Sequence, residues 1–92
     1  MLKHWKIRVY GRVQGVFFRA SANETAGKHG IRGFARNEKD GTVYIEAEGE
    51  EEKLIMFMEW CQIGPPRAKV EKVETEEGQM KNFDKWQTSY SL

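Results

Sequence analysis

Ninety-two residues suit one domain with one core and are too few for two. Apolar residues make up 39% and aromatic residues 12%, enough to fill a small two-layer core. The charged 32% nearly cancels to a formal net charge of +1, which excludes the strong basic excess of a general nucleic-acid binder. One cysteine excludes an intramolecular disulfide and fits a reducing compartment. Met1-Leu2-Lys3-His4 leads straight into alternation with no leader-like segment, and the longest apolar run, Leu54 to Met58, is far too short to span a bilayer. A soluble cytoplasmic chain is the expectation.

Residues 4–11 alternate, with Trp5, Ile7 and Val9 on one face and His4, Lys6, Arg8 and Tyr10 on the other, the pattern of a half-buried strand. The chain then runs through Gly11-Arg12-Val13-Gln14-Gly15-Val16-Phe17-Phe18-Arg19, a short connection with glycines at both ends and an arginine at its exit. A strand–loop–helix junction of this kind can turn successive backbone N–H groups inward, beside the orphan donors of a helix N-terminus. Arg19 adds a planar, permanently charged fork suited to two phosphate oxygens. The stretch reads as a phosphate or carboxylate cradle, although glycines near a strand end equally mark a plain turn.

Arg19 to His29 reads as a helix with Phe18, Ala22, Ala26 and His29 near one stripe. Ser21-Ala22-Asn23-Glu24 has the form of a capping box, which would start the regular helix two residues later, and Gly30 suits its end. Strands follow over 31–37 and 42–48, joined by Glu38-Lys39-Asp40-Gly41, a hairpin signal. In the second of them Val43, Ile45 and Ala47 face the core, leaving Tyr44, Glu46 and Glu48 on the open face. Residues 50–62 form a second helix with acids in its first turn and Leu54, Phe57, Met58 and Cys61 as its buried stripe, stopped by Gly64-Pro65-Pro66. Alternation returns over 68–75, and Trp86, Thr88 and Tyr90 alternate as a short last strand. The order βαββαβ plus a terminal strand fits an α+β, ferredoxin-like two-layer sandwich, with two helices on one face of an antiparallel sheet.

A second stretch, Gly33-Phe34-Ala35-Arg36-Asn37-Glu38-Lys39-Asp40-Gly41-Thr42-Val43, joins the cradle in a pattern that resembles the acylphosphatase family. Those proteins carry G-x-V-Q-G-V-x-[FM]-R followed by G-[FWY]-[AV]-x-N-x-x-x-G-x-V, and both match here at every defining position. Gly64 to Val73 also resembles that family, and the likeness runs from about Trp5 to Val73 before it loosens. The resemblance implies the same fold independently, over a single domain, residues 1–92. It implies hydrolysis of small-molecule acyl phosphates to a carboxylate and inorganic phosphate. Phosphate would be held by Arg19 and the backbone amides of Gly15, Val16, Phe17, Phe18 and Arg19, and Asn37 would orient the attacking water. No cofactor, metal, nucleic acid or membrane is implied, the product phosphate would inhibit, and a monomer is expected.

The residues are compatible with that chemistry. The chain offers no Ser/His/Asp or Cys/His arrangement, no carboxylate pair and no metal-ligand cluster. An acyl phosphate needs none of these to depart, because its leaving carboxylate has a conjugate-acid pKa of about 4. The protein has only to hold the phosphoryl group, offset its charge and position one water. Asn37 shares parity with Ile31, Gly33 and Ala35, so it should point to the helix side, where Arg19 emerges. Gln14 reads as loop-shaping, Thr42 as either a neighbour of Asn37 or a strand-edge threonine, Cys61 as core, and His4 and His29 as structural.

Two rivals share the fold. Arg32-Gly33-Phe34-Ala35 mimics the opening of an RNA-recognition motif, but Arg36-Asn37-Glu38 replaces its aromatic continuation, and Glu46 and Glu48 on the open face would repel RNA phosphates. A non-catalytic anion sensor would need Arg19 but not Asn37.

Overall fold

A computed structural model describes residues 1–88. The elements in chain order are β1 (Leu2–Arg12), α1 (Phe18–Lys28), β2 (Arg32–Asn37), β3 (Val43–Glu50), α2 (Glu51–Cys61), β4 (Lys69–Gly78) and β5 (Trp86–Thr88). They build one five-stranded sheet in the order β4-β1-β3-β2-β5. The pairs β1–β3, β1–β4 and β2–β3 are antiparallel, with Ile7 opposite Ile45 and Ala35 also opposite Ile45. β5 runs parallel to β2, Gly33 opposite Trp86, so the sheet is mixed at one edge and not wholly antiparallel as the element order suggests. Tyr90, expected in the last strand, lies outside the described residues.

The alternation of β1 fixes which side carries the helices. Ile7 and Val9 are fully buried, and Trp5 packs against them from the margin. α1 lies over β2 and β5, and α2 over β1 and β3. Phe18, Ala22 and Ala26 of α1 meet Leu54, Phe57 and Cys61 of α2 in one core with Val43, Ile45 and Ala47. The rings of Phe18, Trp60, Phe57 and Trp86 follow one another at 5.1, 5.9 and 5.6 Å between centroids. Burial raises the Cys61 thiol pKa, consistent with its expected place in the core.

Helix α1 begins at Phe18, and no capping box forms at Ser21. The Ser21 N–H donates to the Phe17 carbonyl and the Thr25 hydroxyl to the Ser21 carbonyl, so Ser21 already lies inside the helix. Packing decides this. Phe18, with only 2% of its surface exposed, is drawn into the core and winds the first turn earlier than capping preference alone would. At the other end the Ile31 N–H bonds the Ala26 carbonyl, a six-residue closure through Gly30 that ends the helix where expected. Gly64 ends α2 and sits against the Phe18 ring, where a Cβ would stand 3.0 Å from a ring carbon.

The second face of the sheet departs from the sequence reading. Glu46 and Glu48 are buried, not exposed, because residues 81–83 cross over them. Glu48 accepts the backbone N–H groups of Lys81, Asn82 and Phe83, and Glu46 accepts from the Lys81 ammonium at 2.8 Å and the Tyr44 hydroxyl at 2.7 Å. His4 sits between the two, fully buried, with Nδ1 2.7 Å from Glu48. Its Nε2 lies 2.9 Å from Glu46, too poorly aligned to count as a hydrogen bond. Burial alone would raise both carboxyl pKa values. The Lys81 and Tyr44 bonds at Glu46, and the Lys81 and Phe83 amides with His4 at Glu48, outweigh it and hold both groups below their ordinary value. The same burial, helped by Glu46, pushes the Tyr44 phenol up to about 12. His4 is therefore structural, as its lack of ligand spacing suggests.

Candidate active site

The cradle is a short loop pinned at three points. Val13, Val16 and Phe18 face inward with 5% or less of their surface exposed, and this fixes the path of the chain between β1 and α1. Between these anchors the backbone alternates in hand: Gly15 has φ 73°, Val16 an ordinary negative φ, and Phe17 φ 66°. Opposite-handed φ at successive residues is the pattern in which backbone N–H groups converge on a concavity. Glycine takes the left-handed region without cost, but a phenylalanine there is strained by about 1–2 kcal/mol. The Phe17 side chain is 71% exposed, so its burial does not explain the strain. Strain of this sort held in a loop points to function.

Phe17 occupies the N-cap of α1 but offers no side-chain acceptor, and no acidic residue lies in the first turn. The orphan N–H donors of that turn and the positive end of the helix dipole therefore face the loop without a neutralising side chain of the helix. A cavity of about 290 Å³ opens there, lined by Val13, Gly15, Phe17, Phe18, Arg19, Ala20 and Asn37. Arg19 and Asn37, on separate elements, thus meet at one cavity, as the parity of β2 predicts. Of the amide-bearing loop residues, Gly15, Phe17 and Phe18 line this cavity, whereas Val16 lines a neighbouring one with Arg12, Gly15 and Arg67.

Asn37 is the last residue of β2, opposite Val43, and the turn beyond it is well braced. The Glu38 N–H donates to the Thr42 carbonyl and the Gly41 N–H to the Glu38 carbonyl. Asp40 accepts both the N–H and the hydroxyl of Thr42, at 3.0 and 2.6 Å, and these bonds lower its pKa. Arg8 donates to the Thr42 hydroxyl at 2.9 Å, so Thr42 serves the turn rather than Asn37. Gln14 closes the arrangement. Its side-chain amide donates to the carbonyls of Glu38 and Thr42 at 2.8 and 2.9 Å, tying the cradle loop directly to the hairpin that carries Asn37. Loop shaping was legible for Gln14, but this hold on the opposite half of the site was not, since its partners are carbonyls with no sequence signature. The C-terminal carboxylate of Leu92 lies outside the described residues, and so does any approach it makes to Arg19. Among the described residues no group of three His, Cys, Asp or Glu side chains gathers as a metal site, and no helix is long and apolar enough to cross a membrane.

Two helices over this sheet, with Arg19 and Asn37 lining one cavity where β1 passes into α1, define a ferredoxin-like α+β domain. Comparison with known proteins agrees. The family model described as Acylphosphatase matches residues 5–88, well past Val73, where the motif likeness loosens. An acylphosphatase of Cupriavidus pinatubonensis is 42% identical over 83 residues, covering 90% of this chain and 92% of its own. The structure of an acylphosphatase from Coxiella burnetii superposes with a TM-score of 0.92 at 32% identity, covering 96% of this chain and 93% of that one. The acylphosphatase from Bacillus subtilis does so at 0.86 and 35%, covering 100% and 98%. The chain belongs to the acylphosphatase family, enzymes acting on small-molecule acyl phosphates. Neither the RNA-binding nor the anion-sensing reading is favoured.

Proposed function

We propose that this acylphosphatase works by direct attack of a water held by Asn37 on a phosphoryl group held by Arg19 and the loop amides of residues 15–19. The observation that carries this reading is the common cavity of Arg19 and Asn37 beside an uncapped helix N-terminus. The Arg19 fork and the convergent amides offset the phosphoryl charge in the ground state and as it redistributes in the transition state. Asn37 suits the water because its amide offers both a donor and an acceptor. A water oxygen–phosphorus bond forms as the phosphorus–acyl oxygen bond breaks, and the acyl oxygen leaves with the electron pair as a carboxylate. Asn37 is no base, so the proton of the water passes to a phosphoryl oxygen of the substrate. No phosphoenzyme forms, no general acid is required, and the activity needs no divalent metal. Inorganic phosphate, the product, competes for the same cradle, and the enzyme acts as a monomer.

The test is hydrolysis of benzoyl phosphate in the presence of a chelator, with inorganic phosphate as inhibitor. Wild type turns over under these conditions and phosphate inhibits competitively. Arg19→Lys weakens that inhibition strongly, because a point charge cannot replace a bidentate fork. Inhibition unchanged in Arg19→Lys would put the anion elsewhere. Activity lost to the chelator and restored by Mg²⁺ or Zn²⁺ would overturn the metal-free chemistry.

A further inference from the structure

A second cavity, of about 250 Å³, adjoins the cradle loop, lined by Arg12, Gly15, Val16 and Arg67. It shares Gly15 with the cavity of Arg19 and Asn37 but contains neither of those residues. Arg12 and Arg67 are exposed, and among the described residues neither side chain has a hydrogen-bond or ion-pair partner. Lys69 stands directly opposite Arg12 in the β1–β4 ladder. Like charges in that relation repel each other unless an anion lies between or beside them. Glu71, nearby on β4, forms no ion pair with any of the three. Several other cations on the sheet are paired, Arg8 with Glu38 and Asp40, Arg36 with Glu38 and Lys72 with Glu74, although among the described residues Lys6 and Arg32 are not.

In-line displacement sets where the leaving group goes. If Asn37 holds the water on its side of the phosphorus, the acyl oxygen departs on the opposite side. The cavity lined by Arg12 and Arg67 meets the cradle at Gly15 and does not include Asn37, so it adjoins the cradle without sharing the residue assigned to the water. We infer that Arg12 and Arg67 form a subsite for a second anionic group on the acyl portion of the substrate, so that the enzyme prefers acyl phosphates whose acyl chain bears a carboxylate or phosphate over those with a neutral chain. This rests on the water-attack reading proposed above and extends it to the substrate's other end. Both arginines are solvent-exposed, so each contact is screened and modest; the pair together amounts to roughly a three- to ten-fold preference.

The experiment compares kcat/KM for benzoyl phosphate with that for 3-carboxybenzoyl and 4-carboxybenzoyl phosphate. These rigid acyl groups cannot cyclise, and the two isomers sample different reach. Wild type, Arg67→Gln and the double variant Arg12→Gln/Arg67→Gln are assayed together. At least one carboxylated substrate should be preferred by wild type by about three- to ten-fold, the scale of two exposed ion pairs. The preference should shrink in Arg67→Gln, vanish in the double variant and weaken with added NaCl. Should the double variant fail to fold, Arg67→Gln, altered at an exposed loop position, still decides the matter. Equal rates for all three substrates in wild type, or a preference that survives in Arg67→Gln and the double variant, would overturn the subsite and leave the acylphosphatase mechanism standing. Failure of wild type to hydrolyse benzoyl phosphate itself would overturn both.

Discussion

Replacing Gln14 by alanine should uncouple the two halves of the site. Its amide makes two partly buried hydrogen bonds, 2.8 Å to the Glu38 carbonyl and 2.9 Å to the Thr42 carbonyl. Both carbonyls keep another donor when Gln14 is gone, Gly41 for the first and Glu38 for the second, so neither acceptor is orphaned. The loss is then near the low end for two bonds, about 1–2 kcal/mol. In a domain of 92 residues that lowers Tm by roughly 5–12 °C. The kinetic effect should exceed what stability explains. Asn37 rides on the hairpin that Gln14 holds, and a displacement of about 1 Å between reacting groups costs up to ~10²-fold. We expect kcat on benzoyl phosphate to fall about 10- to 100-fold, with KM changed much less. Gln14→Glu should do at least as badly, because a carboxylate cannot donate to either carbonyl. Denaturant melts and steady-state kinetics on both variants, at a temperature where each is folded, separate the terms. A kcat within about two-fold of wild type in both variants, alongside the expected loss of stability, would reduce Gln14 to a brace with no part in alignment.

Two further outcomes are expected. Phe17→Gly should be more stable than Phe17→Ala: glycine relieves about 1–2 kcal/mol of left-handed strain and returns only about 0.5–1 through a freer unfolded chain. Equal melting temperatures would mean that the loop holds no strain at residue 17. Stability should also fall in acid. Glu46 and Glu48 have folded pKa values below the ordinary 4.5, so their contribution is present above that value and disappears as pH falls through the depressed folded values. Urea midpoints measured from pH 7 to pH 3 should drop below about pH 4.5 and drop less in Glu48→Gln; a flat profile would contradict the buried network.

Much of the fold is legible because its signals are local. The alternation around Ile7 and Val9, the Asp40-Gly41 turn, the Gly30 stop and the Gly64-Pro65-Pro66 break each act within a few residues. The meeting of Arg19 and Asn37 was also legible, since the parity of a single strand sets the direction of Asn37. What escaped was set by distant chain. Glu46 and Glu48 alternate like surface residues, and only the arrival of residues 81–83, more than thirty positions later, buries them. The parallel pairing of β5 with β2 depends on that same crossing. The Ser21 capping box failed because the burial of Phe18 outweighs one capping bond, a competition that propensity does not encode. The left-handed Phe17 has no sequence sign at all, as aromatic residues rarely adopt that conformation.

Asn37→Ala bears most directly on how the site works. Arg19 and the loop amides would contact the phosphoryl group throughout the reaction, whereas Asn37, holding only the water, contributes once attack begins. Purified Asn37→Ala should therefore lose at least ~10²-fold in kcat, the scale for one preorganised polar group. KM and the inhibition constant of inorganic phosphate should stay within a few-fold of wild type, and the melting temperature should barely move, because Asn37 closes a strand and is only half-buried. A variant that keeps more than about a tenth of the wild-type kcat, or loses stability instead, would contradict the water-orienting role.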